Sequence, residues 1–142
     1  MDVSEFWKNE FVDAARFAFG LRLLLALIPL GIGLFYVLGT NADVDLLNFG
    51  QLYLCIIGIL LPAAIYFYSG YRAVSKFKFS PLKGALAVLA GALFYSSITS
   101  WIWGGNTLDT LGYVVVLAGE GLAGAIFGFV GALAGAYIRK RK

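Results

Sequence analysis

The chain has 142 residues, of which 61% are hydrophobic and 13% are charged, and its formal net charge is +3. A soluble domain is roughly half apolar and about one quarter charged, and a small one buries only part of its surface, so this composition excludes an ordinary soluble globule. There is no histidine and only one cysteine, Cys55, which excludes an intramolecular disulfide and removes the commonest metal ligand and general base.

The first 16 residues have the pattern of a short amphipathic N-terminal helix. The apolar residues Val3, Phe6, Trp7 and Phe11 recur at helical spacing among charged residues. Such a segment, residues 1–16, either lies in the membrane interface or extends the following helix into the cytoplasm. The sequence leaves both alternatives open.

Four hydrophobic stretches follow, and each is long enough to cross a bilayer. A helix that rises about 1.5 Å per residue needs about 20 residues to span a hydrocarbon core of about 30 Å. The predicted helices cover residues 17–39, 50–69, 82–103 and 113–138, and residues 139–142 form a basic tail. Pro29 and Pro62 predict bends in the first two helices, whereas Ser80 and Pro81 predict the start of the third. We therefore expect an all-α integral membrane protein, a four-transmembrane-helix bundle over residues 17–138.

The basic residues predict the orientation of this bundle. All eleven lie in the N-terminal flank, in the central loop over residues 70–83 or in the tail, and the two other loops have none. The positive-inside rule then predicts that both termini are cytoplasmic (N-in/C-in) in a multi-pass protein of the cell membrane. This distribution explains the positive charge without a nucleic-acid partner. Tyr66, Tyr68 and Tyr71 are expected in the inner aromatic belt.

Four basic residues are predicted to contact lipid headgroups: Arg22, Lys76, Lys78 and Arg139. Arg22 lies one or two turns inside the predicted cytoplasmic boundary, from which a long side chain can reach back to the headgroups. Lys76 and Lys78 alternate with phenylalanines, a pattern that suits an anionic leaflet, where each basic residue contributes about 1 kcal/mol.

Glycines form the strongest pattern in the chain. Spaced 3, 4, 3 and 4 residues apart on the fourth helix, they make one continuous stripe: Gly121, Gly124, Gly128, Gly131 and Gly135. In lipid, small residues let helix backbones approach closely, so the glycine stripe predicts tight helix packing. The third helix, with its small residues Ala85, Ala92, Ser96 and Ser100, is the preferred partner, although another helix or a second subunit would also fit.

An intramembrane carboxylate and several hydroxyls mark a possible ion or polar site, which comprises Glu120, Ser96, Ser97 and Ser100. Counting about twenty residues outward from Arg139 places Glu120 near the outer boundary, where it would be hydrated. The alternative is a role in binding an ion or a proton. Serines in membrane helices often bond to carbonyl groups of their own helix instead.

Two functions are consistent with these patterns. There is no paired acid and no Ser–Lys arrangement at membrane depth, so we expect no enzyme, no metal site and no cofactor. The first hypothesis is a small polytopic protein that acts in the lipid bilayer through helix packing, as a homo-oligomer or as a subunit or assembly factor of a membrane-protein partner. The alternative is a small oligomeric channel or transporter with its polar site on the third helix and at Glu120.

Overall fold

The computed structural model describes residues 10–27, 60–104 and 110–141. In these ranges the chain is all-helical, with four helices: α1 (10–27), α2 (Leu61–Phe77), α3 (Pro81–Gly104) and α4 (Thr110–Arg141). Most of the predicted amphipathic segment, the second half of the predicted first span, the first half of the second, Pro29 and Cys55 lie outside the described residues.

Two of the four described helices are long and apolar enough to cross a membrane. They are Pro81–Ile102, within α3, and Thr110–Arg141, the whole of α4. The 32 residues of α4 rise about 48 Å at about 1.5 Å per residue, more than the hydrocarbon core requires. Two such helices fit a membrane protein by length and composition.

Helix α1 runs unbroken across the expected boundary between residues 16 and 17. Its buried residues Ala14, Ala18 and Leu25 lie on one face, as spacings of four and seven residues require. The described part of the predicted amphipathic segment, residues 10–16, is therefore continuous with the first helix. Its position relative to a membrane stays a prediction.

The link between α2 and α3 is shorter than the predicted central loop. Helix α2 continues to Phe77, because Ala73 and Val74 are packed in the core, and it ends where Lys78 adopts a left-handed conformation with φ 55°. Ser80 then caps α3 as expected: its carbonyl oxygen accepts the Gly84 N–H at 2.9 Å, and its hydroxyl oxygen accepts the Lys83 N–H at 3.3 Å.

One part of the glycine stripe packs against α3. A Cβ added to Gly124 would lie 2.6 Å from the Cβ of Ala92, and one added to Gly128 would lie 2.8 Å from the Cβ of Val88. Residue numbers rise along one helix as they fall along the other, so α3 and α4 are antiparallel. The preferred α3–α4 packing through Ala92 is present.

The rest of the stripe packs against α2, a partner that the sequence does not single out. A Cβ added to Gly131 would collide with the backbone carbonyl of Phe67, and one added to Gly135 would lie 2.9 Å from the carbonyl oxygen of Tyr71. Here both numbers rise together, so α2 and α4 are parallel. All five glycines of the stripe are buried, and neighbouring helices of the same chain fill the space around them.

Because α2 is parallel to α4 and α3 is antiparallel to it, the 78–80 link and the end of α4 lie at the same end of the bundle. The start of α1 lies there too, since Ala14 packs with residues of this end. An apolar cluster there includes Ala14, Val74, Phe79 and Ala132. We call this the basic end, because it carries Lys76, Lys78, Arg139, Lys140 and Arg141, and we call the opposite end the far end. One layer toward the far end, a second cluster joins Ala18, Tyr66, Val88 and Ala92.

Many large apolar side chains lie on the surface, and small side chains occupy much of the interior. Leu122 and Ile126 of α4 are 62% and 57% exposed, while Ala87 and Ala132 are fully buried. A soluble protein has the reverse arrangement. Small residues at helix contacts and large apolar residues outside are the pattern of a lipid-facing bundle.

Candidate functional site

An ion pair joins α1 to α4 inside the bundle. Arg22 Nε donates a hydrogen bond to Glu120 Oε1 at 2.7 Å, and the two side chains are only 13% and 19% exposed. Hydrogen bonds between two charged groups are among the strongest in proteins. The two residues therefore hold the first and last described helices together.

Tyrosines from the two other helices complete this cluster. The hydroxyl of Tyr66, on α2, donates to the same Glu120 Oε1, and its ring is fully buried. The guanidinium carbon of Arg22 lies 4.5 Å from the ring centroid of Tyr95, on α3, within the range of a cation–π interaction. Each of the four helices thus contributes one side chain to what we call the polar centre: Arg22, Tyr66, Tyr95 and Glu120.

The polar centre corrects the depths expected for Arg22 and Glu120. The sequence places Arg22 near the inner boundary and Glu120 near the outer one, which would separate them by most of a core about 30 Å thick. The structure brings the two residues to the same level of the bundle, so the two predicted depths cannot both be correct. Glu120 lies ten residues inside α4 from Thr110, which is about 15 Å along the axis. Arg22 pairs with this carboxylate rather than with headgroups, because an unpaired charge inside an apolar bundle is costly.

Ser96 lies level with Glu120. Ala92 faces Gly124 across the antiparallel α3–α4 contact, so Ser96, one turn farther along α3, is opposite residue 120, one turn back along α4. The side chain of Ser96 is 1% exposed, and its hydroxyl has no hydrogen-bond partner among the described residues. A buried hydroxyl without a partner is rare, which makes Ser96 a candidate for contact with a polar solute.

The two other predicted serines differ from each other. Ser100 is buried one turn farther along the face that carries Ser96. Ser97 is exposed, and its hydroxyl donates to the carbonyl oxygen of Leu93 at 2.8 Å, the local bond that serines often make in helices. Ser96 and Ser100 therefore share the buried face of α3, whereas Ser97 lies outside that face.

The three remaining residues of the predicted lipid-headgroup set lie together at the basic end. Lys76 is in the last turn of α2, Lys78 ends that helix, and Arg139 is in the last turn of α4. All three are exposed. Their contact with lipid headgroups stays a prediction.

Sequence reasoning missed the roles of Tyr66 and Tyr95. Tyr66 was assigned to the inner aromatic belt, but it is fully buried, whereas its neighbour Tyr68 is 51% exposed. Its position on the buried face of α2, three residues before Ser69 and four before Gly70, was the available signal. For Tyr95, the signal was its position beside Ser96 on the helix with the small-residue stripe.

The polar centre combines one negative and one positive charge. Its carboxylate and guanidinium neutralise each other, and each has a second neighbour, the Tyr66 hydroxyl or the Tyr95 ring. The described residues contain no group of three or more Cys, Asp or Glu that could hold a metal ion. The chain matches no known protein family, no curated protein and no solved structure.

Proposed function

We propose that the chain is a four-span protein of the cell membrane, with both termini in the cytoplasm, that moves a small charged solute across the bilayer without catalysis. The solute binds at the polar centre. The observation that carries this proposal is the convergence of one polar side chain from each of four helices inside a largely apolar bundle. Charged residues at membrane depth are costly, and they commonly mark substrate or ion pathways.

The distribution of charge supports the orientation. Lys76, Lys78 and Arg139 lie at the basic end together with the last residues of α4. The positive-inside rule assigns such an end to the cytoplasm. In this arrangement α1 and α2 supply the two spans that accompany α3 and α4.

Stability alone is a poor reason for an ion pair at this place. Replacing a buried ion pair by well-packed apolar residues of similar volume is often neutral or stabilising by about 1–4 kcal/mol. If the pair served only to stabilise the bundle, apolar side chains at positions 22 and 120 would stabilise it equally well. The charged pair is better explained by binding than by packing.

We infer that a solute binds by exchange with the ion pair. A cation would compete with Arg22 for Glu120, whereas an anion would compete with Glu120 for Arg22. In either case the displaced group keeps a neighbour: the Tyr66 hydroxyl still donates to Glu120, and the Tyr95 ring still faces Arg22. These second contacts lower the cost of opening the pair, and the pair closes again on release.

The approach to the polar centre differs between the two ends of the bundle. Toward the basic end, the two apolar clusters lie between the ion pair and the 78–80 link. Toward the far end, the face of α3 that packs on α4 continues with the buried hydroxyls of Ser96 and Ser100. We therefore propose that the solute enters from the far end and that its release on the cytoplasmic side requires the apolar clusters to separate.

Flux into liposomes tests the proposal. Purified protein is reconstituted, and the uptake of sodium, potassium, chloride and acetate is compared for the wild type, Glu120→Gln, Arg22→Gln and Ser97→Ala. We expect flux of at least one ion for the wild type and Ser97→Ala and a loss of at least tenfold for the other two variants. An imposed membrane potential then gives the sign of the charge that moves. Flux that Glu120→Gln leaves unchanged, or wild-type flux no greater than in empty liposomes for all four ions, would overturn the proposal.

A second candidate is a packing subunit or assembly factor in which the ion pair is only a clamp. The observation that favours it is the large apolar surface of α4, including Leu122, Ile126 and Leu133, which a partner protein could cover as well as lipid. The buried glycine stripe does not provide this surface. The double variant Arg22→Glu with Glu120→Arg separates the two candidates: it restores a clamp, but it reverses the charges that a solute meets. A stable double variant that keeps a co-purifying partner, combined with a wild type that shows no flux, would favour the subunit.

A further inference from the structure

A groove of about 490 Å³ opens on the surface of the bundle between α1 and α3. Its floor is made of small residues, Ala15, Ala90 and Gly91, and its walls carry three phenylalanine rings, those of Phe11, Phe19 and Phe94. A surface of this kind fits a flexible apolar chain, which can follow the helices and contact the rings on both sides.

Close approach of the two helices creates the floor of the groove. A Cβ added to Gly91 would lie 2.6 Å from the carbonyl oxygen of Ala15, so only glycine allows α1 to lie this near to α3. The rings of Phe19 and Phe94 meet edge to face, with centroids 5.1 Å apart. They join the two walls of the groove.

One charged residue, Arg16, lines this groove. It is exposed and forms no salt bridge with any residue in the described ranges. A guanidinium group matches the oxygens of a phosphate with two parallel hydrogen bonds. Arg16 therefore gives the groove a preference for an anion attached to an apolar chain.

A second groove, between α3 and α4, provides an internal comparison. It has a volume of about 580 Å³, and its lining residues, among them Leu89, Leu93, Leu117, Leu122 and Ala125, are all uncharged. This groove offers the same kind of apolar surface without a cation, so it has no basis for choosing one headgroup over another.

We propose that the groove between α1 and α3 binds one anionic phospholipid. Its phosphate is held by Arg16, and its acyl chain runs from there toward the far end, against the rings of Phe19 and Phe94. Anionic lipids are concentrated in the cytoplasmic leaflet, the side to which the basic end is assigned. The inference rests on the proposed membrane placement, but not on solute transport.

Lipid retention by the full-length protein tests this site. The protein is placed in bilayer nanodiscs that contain equal amounts of phosphatidylglycerol and phosphatidylcholine with identical acyl chains, and the lipids that remain bound are measured by native mass spectrometry. We expect the wild type to retain one phosphatidylglycerol in preference to phosphatidylcholine. Arg16→Gln should reduce this preference by about fivefold, which corresponds to about 1 kcal/mol for one basic residue.

Matched variants distinguish the groove from general attraction to the basic end. Lys140→Gln removes one positive charge at the basic end, outside both the groove and the predicted lipid-headgroup set, and should keep the preference. Ala90→Trp fills the groove and should abolish it, whereas Ala125→Trp, in the uncharged groove, should not. An equal preference in the wild type and Arg16→Gln, or no preference in the wild type, would overturn the inference. Extraction of the protein from membranes without detergent would show that it does not span the membrane, which would contradict both the lipid site and the proposed function. If the wild type shows ion flux but no preference between the two lipids, the lipid site alone would be contradicted.

Discussion

Arg22 and Glu120 lie 98 residues apart in the sequence, yet the guanidinium Nε donates a 2.7 Å hydrogen bond to the carboxylate oxygen inside the bundle. The pair connects α1 to α4, and Tyr66 and Tyr95 connect it to α2 and α3. The four side chains of the polar centre therefore also connect the four described helices.

The ion pair predicts strong coupling between its two partners. Arg22→Met or Glu120→Met alone leaves one buried charge unpaired, so each should lower the free energy of unfolding by about 3–5 kcal/mol. The double variant removes both charges and should be much closer to the wild type. Thermal unfolding in mild detergent, analysed as a double-mutant cycle, measures the coupling. If the effects of the two single variants simply add, the residues do not stabilise each other.

The hydroxyl of Tyr66 should contribute through Glu120. Tyr66→Phe keeps the buried ring but removes a hydrogen bond to a charged acceptor, which should cost about 1.5–3 kcal/mol of unfolding free energy. Tyr68→Phe is the matched control, because Tyr68 is exposed and should change stability little. In the background of Glu120→Gln the effect of Tyr66→Phe should shrink, since its acceptor is no longer charged. An undiminished effect in that background would show that the hydroxyl acts elsewhere.

Glycines of α4 should differ sharply in their tolerance of alanine. At Gly131 an added Cβ would collide with the backbone carbonyl of Phe67, and backbone cannot rotate away, so Gly131→Ala should destabilise the fold by about 1–3 kcal/mol. At Gly119 a Cβ meets nothing within 4 Å, so Gly119→Ala should be neutral or stabilising by up to about 1 kcal/mol. The unfolding temperatures of the two variants test this order. Equal effects would mean that α2 and α4 do not pack through Gly131.

The orientation can be tested by cysteine labelling. In a Cys55→Ser background, single cysteines replace Lys78, Arg141 or Asp109, and intact cells are treated with a membrane-impermeant maleimide. Because basic segments remain in the cytoplasm, Asp109→Cys should be labelled in intact cells, whereas the other two should be labelled only after lysis. Labelling of Arg141→Cys before lysis would contradict a cytoplasmic C-terminus.

Local features of the sequence were sufficient to predict several parts of the fold. Ser80 and Pro81 mark the start of α3, because a capping side chain and a proline in the first turn act within a few residues. The hydrophobic run over residues 113–138 predicted one long helix, and α4 covers this range and extends beyond it at both ends, from Thr110 to Arg141. The glycine stripe could also be predicted to pack closely, since its spacing alone aligns the glycines on one face. The C-terminal boundary of α2 was predicted too early, at residue 69, because contacts of Ala73 and Val74 with other helices extend the helix to Phe77.

The tertiary structure alone decided which residues meet. The spacing of residues predicts which face of each helix is packed. It does not predict the direction in which two helices run, the angle at which they cross or the residues that meet at the crossing. The stripe could have packed on α3 alone, and only the crossing at Gly131 and Phe67 shows that it also packs on α2. Arg22 and Glu120 each looked like boundary residues, because depth was counted separately along each helix. Their pairing depends on how α1 and α4 are positioned together, and that relation is set by side-chain packing between distant segments rather than by any local pattern.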